Sequence, residues 1–253
     1  MSTAITASHI QREPELLGQT VVVIGGSAGI GLETARRASM EGAKLILTGR
    51  SPERLQRAAS EVHALSTTSF DAMDPALLKQ FFRDLPTSID HIMVTAGRPS
   101  YGRLIDLDSA HTRRALDEHL SLFIEVARNS VDRVRAGGTL TFMGGTGGCR
   151  PVIGFGIAST VTAALPVLTA NLALELAPIR VNLIAAGFVD TQLSASLLGD
   201  ELENRRSQLR AQLPIRRVVQ PADVAALAVH IMTNTALTGA TYDVDGGQQF
   251  VGA

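Results

Sequence analysis

The amino-acid sequence predicts one α/β domain, in which helices cover both faces of a parallel β-sheet. The length of 253 residues suits a single large domain of this class. Short apolar runs alternate along the chain with longer amphipathic segments, a pattern typical of a parallel sheet wrapped by helices. No internal repeat and no low-complexity linker divides the sequence, so we expect one folding unit.

The short apolar runs are predicted to form the strands of this sheet. They span residues 20–24, 44–48, 67–70, 91–95, 138–143, 180–184 and 240–244. Helical periodicity fills the gaps between them, at residues 29–40, 52–63, 75–84, 109–135 and 163–176. Pro52 and Pro75 fall in first helical turns, where a missing N–H is harmless. Gly42 and Gly137 fall where helices are expected to end.

Two segments depart from the strand–helix rhythm. Residues 1–17 are mixed and aperiodic, and they are predicted to form a loose N-terminal arm ahead of a domain that covers residues 18–253. The segment near residues 191–214 interrupts the alternation late in the chain. We predict that it is a helical insertion next to a site, where it would act as a lid.

Composition and charge exclude several classes of partner. The net charge of −1 gives no electrostatic reason to expect a nucleic acid or an anionic membrane. No uninterrupted apolar run approaches the roughly 18 residues that a membrane span needs, and no secretion signal is evident. The single cysteine, Cys149, forms no intrachain disulfide, which fits a cytoplasmic location. The six histidines and this cysteine show no metal-ligand spacing, so we expect no metal.

A glycine-rich segment joins the first predicted strand to the first predicted helix. In Gly25-Gly26-Ser27-Ala28-Gly29-Ile30-Gly31, Gly25 allows a tight turn, and Gly29 and Gly31 let the backbone approach a pyrophosphate. The N–H groups and the dipole of the new helix would face the negative charge. A plain strand–helix turn is the alternative, but the surrounding strand, helix and second strand favour a dinucleotide site of the doubly wound Rossmann type.

The end of the second predicted strand bears on which dinucleotide is bound. A carboxylate normally binds the ribose 2′-hydroxyl there, about 20 residues after the glycines. This chain has Thr48-Gly49-Arg50, with no acidic residue and one guanidinium. Arg50 could pair with a 2′-phosphate, although a solvated loop arginine is the alternative. The sequence therefore favours NADP(H) over NAD(H).

The glycine loop and four further motifs together resemble the short-chain dehydrogenase/reductase family over nearly the whole chain from about residue 17. The further motifs are Val94-Thr95-Ala96-Gly97, residues 171–177, Ile179-Arg180-Val181-Asn182 and Val244-Asp245-Gly246-Gly247. The resemblance implies a seven-stranded parallel sheet in the order 3-2-1-4-5-6-7, a small-molecule substrate and a homo-oligomer, either a dimer or a tetramer. It also implies cofactor contacts by Asp71 at the adenine, by Ala96 and Gly97 along the trough, and by Gly187, Val189 and Thr191 on the nicotinamide side.

The family's proton-transfer residues are replaced in this sequence. The resemblance places its serine at Gly145, its tyrosine at Ala158, its lysine at Thr162 and its asparagine at His119. A count of residues, which does not depend on this placement, also indicates that the tyrosine–lysine pair is absent, because the only tyrosines are Tyr101 and Tyr242 and the only lysines are Lys44 and Lys79. Neither tyrosine has a lysine four residues later. We therefore predict that the usual tyrosine–lysine mechanism is absent.

Three residues are the candidate replacements: His119, Tyr101 and Thr162. His119 could act as acid or base near neutral pH, and Tyr101 could donate a proton from the loop after the fourth strand. Each also has a structural alternative, as a helix packing residue or a surface contact. Further residues that could orient a ligand are Arg98, which could clamp an acidic group, the hydroxyls of Ser159 and Thr160, and the glycine run at 144–148. No neighbouring cation argues for an activated Cys149 thiolate.

Two functions are compatible with these residues. One is an NADP(H)-dependent oxidoreductase that uses an unusual proton donor or none. The other is a non-catalytic binding protein: a nucleotide sensor, a ligand carrier or a silent subunit. The persistence of Gly187 and Thr191 favours the oxidoreductase, because a protein that binds only the adenine nucleotide would not need them.

Overall fold

Seven strands form the centre of the molecule in the computed structural model, which describes residues 13–149 and 152–251. They are β1 (Thr20–Ile24), β2 (Lys44–Gly49), β3 (Ser66–Ser69), β4 (Ile89–Val94), β5 (Val134–Gly145), β6 (Arg180–Ala186) and β7 (Thr241–Val244). The sheet order is β3-β2-β1-β4-β5-β6-β7, and every neighbouring pair is parallel. The predicted fold class and strand order are confirmed.

Eight α-helices accompany the strands in the described residues. They are α1 (Gly29–Met40), α2 (Pro52–Val62), α3 (Pro75–Asp84), α4 (Ser109–Ser130), α5 (Gly156–Glu175), α6 (Gln192–Leu198), α7 (Leu202–Gln212) and α8 (Pro221–Thr233). Alternate residues of β1 belong to different cores: Val22 packs with side chains of α3, α4 and α5, and Val23 with those of α1, α2 and α8. This alternation buries both faces of the sheet.

Helix α5 is apolar around much of its circumference. Among the described residues it is the one helix that is long and apolar enough to cross a membrane by length and composition. One of its faces, which includes Val161, Leu165 and Leu172, is buried in the core against the sheet, as in the core helix of a globular domain. The prediction that this helix starts at residue 163 is wrong by seven residues, because its first two turns mix apolar and hydroxyl residues without a clear helical period.

The segment between α4 and β5 corrects a second prediction. Helix α4 ends at Ser130 rather than at residue 135, and Gly137 lies inside β5 rather than at a helix end. The pairing of β4 with β5 jumps from Ile89 opposite Val134 to His91 opposite Thr139, which leaves a bulge. Gly137 has φ +77°, a conformation that suits glycine.

The described end of the predicted N-terminal arm is attached to the domain. Leu16 is fully buried, and its N–H donates to the carbonyl oxygen of Glu41 at 3.0 Å. The expectation of a loose arm therefore fails at this residue, because its side chain completes the core beneath α1. Residues 1–12 lie outside the described residues.

Candidate active site

The glycine loop closes tightly at the carboxyl end of β1. Gly25 has φ +99°, and a Cβ atom on Gly31 would lie 2.3 Å from the carbonyl oxygen of Gly25. Thr95, after β4, donates its hydroxyl to the same carbonyl oxygen at 3.1 Å. The residue before α1 is Ala28, whose side chain makes no capping hydrogen bond. The first N–H groups of α1 are therefore free of a side-chain cap, which suits an anionic ligand.

The residues predicted on the adenine side lie at the same edge of the sheet. A Cβ atom on Gly49 would lie 2.8 Å from Oγ of Ser27, so the end of β2 touches the glycine loop. Arg50 follows directly and is exposed, with no side-chain hydrogen bond or ion pair to any described residue. Asp71 is exposed, and its carboxylate accepts from the backbone N–H of Met73 at 3.1 Å.

The residues predicted on the nicotinamide side follow β4 and β6. A Cβ atom on Gly29 would lie 3.5 Å from Cγ2 of Thr191, so the glycine loop and Thr191 face each other. Oγ1 of Thr191 caps α6 by accepting from the N–H of Ser194 at 3.1 Å. Val189 is buried, and it pairs with Val219 in an isolated parallel bridge.

Gly187 has a packing role that sequence reasoning missed. A Cβ atom there would lie 2.7 Å from Cβ of Asp245 and 2.7 Å from Oε1 of Gln248. The same Gln248 oxygen accepts from the N–H of Phe188 at 2.8 Å. Glycine is therefore required for the C-terminal segment to pack against this loop, and no local sequence signal reveals the contact.

The residues at the predicted catalytic positions, at the end of β5 and the start of α5, have small side chains. The hydroxyl group among them is hydrogen-bonded within its own helix. A Cβ atom on Gly145 would lie 3.2 Å from the methyl group of Thr162. The Thr162 hydroxyl donates to the carbonyl oxygen of Ala158 at 2.9 Å. A Cβ atom on Gly148 would lie 2.8 Å from the backbone nitrogen of Ala163. This part of the glycine run therefore allows close packing against α5.

The other hydroxyls of α5 differ in their bonding. Thr160 donates to the carbonyl oxygen of Gly156 at 2.9 Å. Oγ of Ser159 is buried and has no hydrogen-bond partner in the described part of the chain. The side chain of Cys149 lies outside the described residues. Among those residues, no group of three or more His, Cys, Asp or Glu side chains could hold a metal ion.

His119 of α4 is half-buried beside the trough that Ala96 and Gly97 are predicted to line. A Cβ atom on Gly97 would lie 3.8 Å from Nε2 of His119. On the other side of the ring, Nδ1 lies 3.4 Å from the carbonyl oxygen of Ala115. A carbonyl only accepts hydrogen bonds, so this contact is a hydrogen bond in the tautomer that carries its proton on Nδ1, and in that tautomer the Nε2 lone pair faces Gly97.

Tyr101 belongs to the loop that connects β4 with α4. Its ring packs against Phe155 with centroids 4.6 Å apart, and the N–H of Gly102 donates to the carbonyl oxygen of Gly154 at 2.8 Å. These contacts join the loop to the start of α5. Burial raises the pKa of the Tyr101 phenol, which makes it a weaker acid at neutral pH.

A cleft of about 390 Å³, here called the entrance cleft, brings three of the predicted residues together. Its lining includes Arg98, Tyr101 and His119, together with Leu197 of α6. Thr162 and Ser159 are not part of it. The remaining lining residues are Pro99, Ser100, His111, Arg114, Ala115 and Glu118. Sequence reasoning missed His111 and Arg114, although their spacing from Glu118 places all three on one face of α4.

The predicted lid segment contains two helices, α6 and α7. Arg206 of α7 donates to Oδ1 of Asp190 at 2.7 Å, and it also pairs with Glu203 on its own helix. Asp190 directly precedes Thr191. The ion pair therefore ties α7 to the loop that carries the predicted nicotinamide contact.

Comparison with known proteins identifies the family. Residues 25–249 match the adh_short_C2 family model, described as enoyl-(acyl carrier protein) reductase. The chain belongs to the short-chain dehydrogenase/reductase family. Its sequence is 29% identical over 254 residues to the short-chain dehydrogenase/reductase ATR9 of Stachybotrys chlorohalonatus, covering 92% of this chain and 98% of that protein. Membership places the chain in a family of oxidoreductases that bind nicotinamide cofactors.

Two solved structures show how far the likeness extends. The reductase/Diels-Alderase MalC of Malbranchea aurantiaca superposes with a TM-score of 0.87 at 23% identity, covering 94% of this chain and 99% of its own; this likeness concerns the fold alone. BdcA, crystallised in complex with NADPH, superposes with a TM-score of 0.82 at 26% identity. That match covers 92% of this chain and 95% of BdcA.

Proposed function

We propose that this protein is an NADP(H)-dependent oxidoreductase that acts on a small molecule without the family's tyrosine–lysine proton donor. The observation that carries the proposal is the placement of His119, whose Nε2 faces Gly97 at the trough. Gly145, Ala158 and Thr162 are the residues that the resemblance assigns to the family's usual donor positions. A titratable group thus borders the site from α4 although the start of α5 offers none.

The described residues fit a dinucleotide. The tight glycine turn at Gly25 and Gly31 and the uncapped start of α1 would hold the pyrophosphate, and Thr191 would contact the nicotinamide. When bound, the cofactor supplies or accepts the hydride. The chain's own part is to position the substrate beside Gly97 and to manage the proton.

Arg50 supports a preference for NADP(H) over NAD(H). It follows β2 beside the glycine loop, is exposed, and makes no side-chain hydrogen bond or ion pair with any residue that the structure describes. A guanidinium in this position is free to pair with a 2′-phosphate. The NADPH complex of BdcA, a relative in structure, is consistent with this preference.

His119 is the preferred proton-transfer residue among the three candidates. The Thr162 hydroxyl donates to carbonyl oxygens of its own helix, and burial raises the pKa of Tyr101. In the neutral tautomer, Nε2 of His119 accepts a proton, and as an imidazolium it donates one. We therefore place His119 as the general acid or base, with Tyr101 and Thr162 in orienting roles.

A catalytically silent NADP(H)-binding protein, such as a sensor, a carrier or an oligomer subunit, is the second candidate. The same Thr162 and Tyr101 observations favour it, because neither group offers a ready proton. Exposed apolar side chains on α4 and α5, including Ile124, Val167 and Leu174, are consistent with a homo-oligomer, a dimer or a tetramer. Light scattering of the purified protein would measure its size.

Cofactor titration followed by a turnover assay tests the proposal. The protein is titrated with NADPH and NADH by fluorescence, and carbonyl, imine and enone compounds are then added while the absorbance at about 340 nm is followed. We expect tighter binding of NADPH and oxidation by at least one substrate class. Tight binding without oxidation by any compound would favour the silent protein.

Substitution of the proposed proton-transfer residue gives the sharper result. We expect His119→Gln to lower kcat by about a hundredfold without changing the Kd of NADPH, because general acid–base catalysis is typically of this size. The exposed His63→Asn variant serves as the control, since His63 lies in a left-handed backbone conformation that asparagine tolerates. Unchanged turnover in His119→Gln would remove this residue from the mechanism.

A further inference from the structure

We propose that the entrance cleft binds the anionic end, a carboxylate or phosphate, of the substrate, and that Arg98 and Arg114 hold this end. The proposal rests on the proposed function for the position of the reacting centre, because it names the substrate class of that same site. It adds a charge requirement to a site whose family membership specifies none.

The balance of charge in the cleft is the first argument. Two guanidinium groups and two histidines line it, against one carboxylate, that of Glu118. Arginine remains protonated at all physiological pH values, so the cleft carries more positive than negative charge even with both histidines neutral. The protein as a whole has a net charge of −1, so this local excess is not an effect of composition.

The absence of partners for the two arginines is the second argument. Several arginines elsewhere on the described surface pair with carboxylates, among them Arg36 with Glu33 and Glu61, Arg128 with Glu125, and Arg217 with Asp223. Arg98 and Arg114 have neither an ion pair nor a side-chain hydrogen bond to any residue in the described part of the chain. Glu118 is one helical turn beyond Arg114, and no ion pair joins them in the described residues. The charge of Arg114 contributes to the lowered pKa of Asp108, but no ion pair holds either guanidinium in the described residues, so both can contact a ligand.

The contacts that restrain the loop carrying Arg98 are the third argument. Oγ of Ser100 lies 2.9 Å from Nε2 of His111, which ties the loop to α4 two residues beyond Arg98. Tyr101 and Phe155 anchor the other side of the same loop. A guanidinium on a restrained loop loses less conformational freedom on binding than one on a free loop.

The cleft also explains how an anionic end and a reacting group could be bound together. His119 lines the cleft and also lies next to Gly97, and Tyr101 and Leu197 supply apolar surface. The volume of about 390 Å³ matches a small molecule rather than a macromolecular partner. The expected ligand has an anionic group at one end and a short apolar body.

A set of matched ligands tests the proposal directly. Cinnamate, phenyl phosphate and the neutral cinnamamide are titrated into the purified protein by ligand-observed NMR, with and without saturating NADPH. We expect at least one anion to bind about tenfold or more tightly than the amide, because charge-assisted hydrogen bonds are the stronger ones. The ratio of the two anions distinguishes a carboxylate site from a phosphate site.

Substitution of the two arginines tests whether they cause the preference for anions over the neutral amide. In the R98Q/R114Q double variant, we expect the preference for anions over cinnamamide to disappear, while the affinities for cinnamamide and NADPH stay within twofold. R113Q is the matched control, since Arg113 is exposed on the same helix and does not line the cleft. Thermal melting of each variant verifies that it is folded.

Three results would overturn the proposal: equal affinity for anions and amide, an anion preference that survives in R98Q/R114Q, or no saturable anion binding with or without NADPH. Failure of the proposed function has a different signature. In that case the anions bind with the expected preference, but NADPH does not bind or is never oxidised.

Discussion

At the amino end of the sheet, buried polar side chains are hydrogen-bonded to one another and to the backbone, whereas at the carboxyl end several polar groups have no partner among the described residues. His91 of β4 illustrates the first case: its Nδ1 lies 2.9 Å from Oγ1 of Thr139 and its Nε2 lies 2.7 Å from Oε1 of Gln19. Arg50, Arg98 and Arg114 illustrate the second.

Arg180, the first residue of β6, is the strongest example at the amino end. Its guanidinium donates to five backbone carbonyl oxygens, those of Gly137, Ile231, Met232, Asn234 and Leu237. These carbonyls belong to the bulge of β5 and to the end of α8 and its following turn. One buried side chain thus joins three elements of the fold, and it remains remote from the site.

The difference indicates that the two ends serve different purposes. A buried polar group without a partner costs free energy, so satisfied groups at the amino end contribute to stability. Ligands of open α/β sheets bind at the carboxyl ends of the strands, where free polar groups can contact them. Substitutions at the amino end should therefore change stability alone, and those at the carboxyl end should change binding or turnover alone.

The largest effect is expected for Arg180→Lys. An ammonium group cannot reach five separate carbonyls, and we expect a loss of roughly 3–5 kcal/mol in the free energy of unfolding. Urea unfolding measures it, with Arg113→Gln as an exposed control that should change stability by less than about 0.5 kcal/mol. The Kd of NADPH should not change. A loss of cofactor affinity in the folded variant would contradict the separation of the two ends.

A second prediction for the amino end of the sheet concerns His91 and the pH dependence of the free energy of unfolding. Burial lowers the pKa of this histidine to about 4, from an ordinary value of about 6.5. The unfolded chain therefore binds a proton at a higher pH than the folded protein does. The lowered pKa of His91 therefore makes the stability of the protein depend on pH. The stability that the neutral, buried His91 contributes is fully present above about pH 6.5 and is lost as the pH falls toward about 4.

The expected loss from this one histidine is up to about 3 kcal/mol. Carboxylates titrate over part of the same range, so the measurement compares the wild-type protein with His91→Gln by urea unfolding at each pH. We expect the variant to be less stable near neutral pH but to lose less stability on acidification. Identical pH slopes for the two proteins would show that His91 does not cause the dependence.

At the carboxyl end, Arg50→Gln should change cofactor selection. We expect the ratio of NADPH affinity to NADH affinity to fall by roughly tenfold to a hundredfold, the value of one charge-assisted pair with a phosphate. Fluorescence titration with both cofactors measures the ratio, and the exposed Arg54→Gln on α2 is the control. Stability should be unchanged. An unaltered ratio would mean that Arg50 is only a solvated loop residue.

The sequence predicted the sheet well because its signals are local. Runs of apolar residues mark buried strands, and the strand order follows from the family that the motifs resemble. The boundaries failed where the local pattern is weak: α5 begins in a stretch of apolar and hydroxyl residues without a clear helical period, and Gly137 lies at a bulge that only the pairing with β4 reveals.

The candidate site was predicted only where local motifs mark its residues. His119, Tyr101 and Arg98 could be singled out from family positions and from the loop after β4, and all three line the entrance cleft. Arg114 was missed because its role depends on a loop folding back over α4. Gly187 was assigned to the cofactor side, but its contact with Asp245 requires the C-terminal segment, which is remote in sequence.

The smallest effect is expected for Thr162→Ala, at the position where the family has its lysine. The Thr162 hydroxyl donates to the carbonyl oxygens of Ala158 and Ser159, so no proton is directed toward the site, and its methyl group faces Gly145. We expect kcat and the Kd of NADPH to change less than about twofold, because a side chain already bonded to its own helix contributes little to proton transfer. Steady-state assays with the best substrate measure both values. A loss of tenfold or more in kcat would indicate that the proton donor lies on α5 rather than α4. The Ser159 hydroxyl, which has no hydrogen-bond partner in the described part of the chain, would then be the next residue to test.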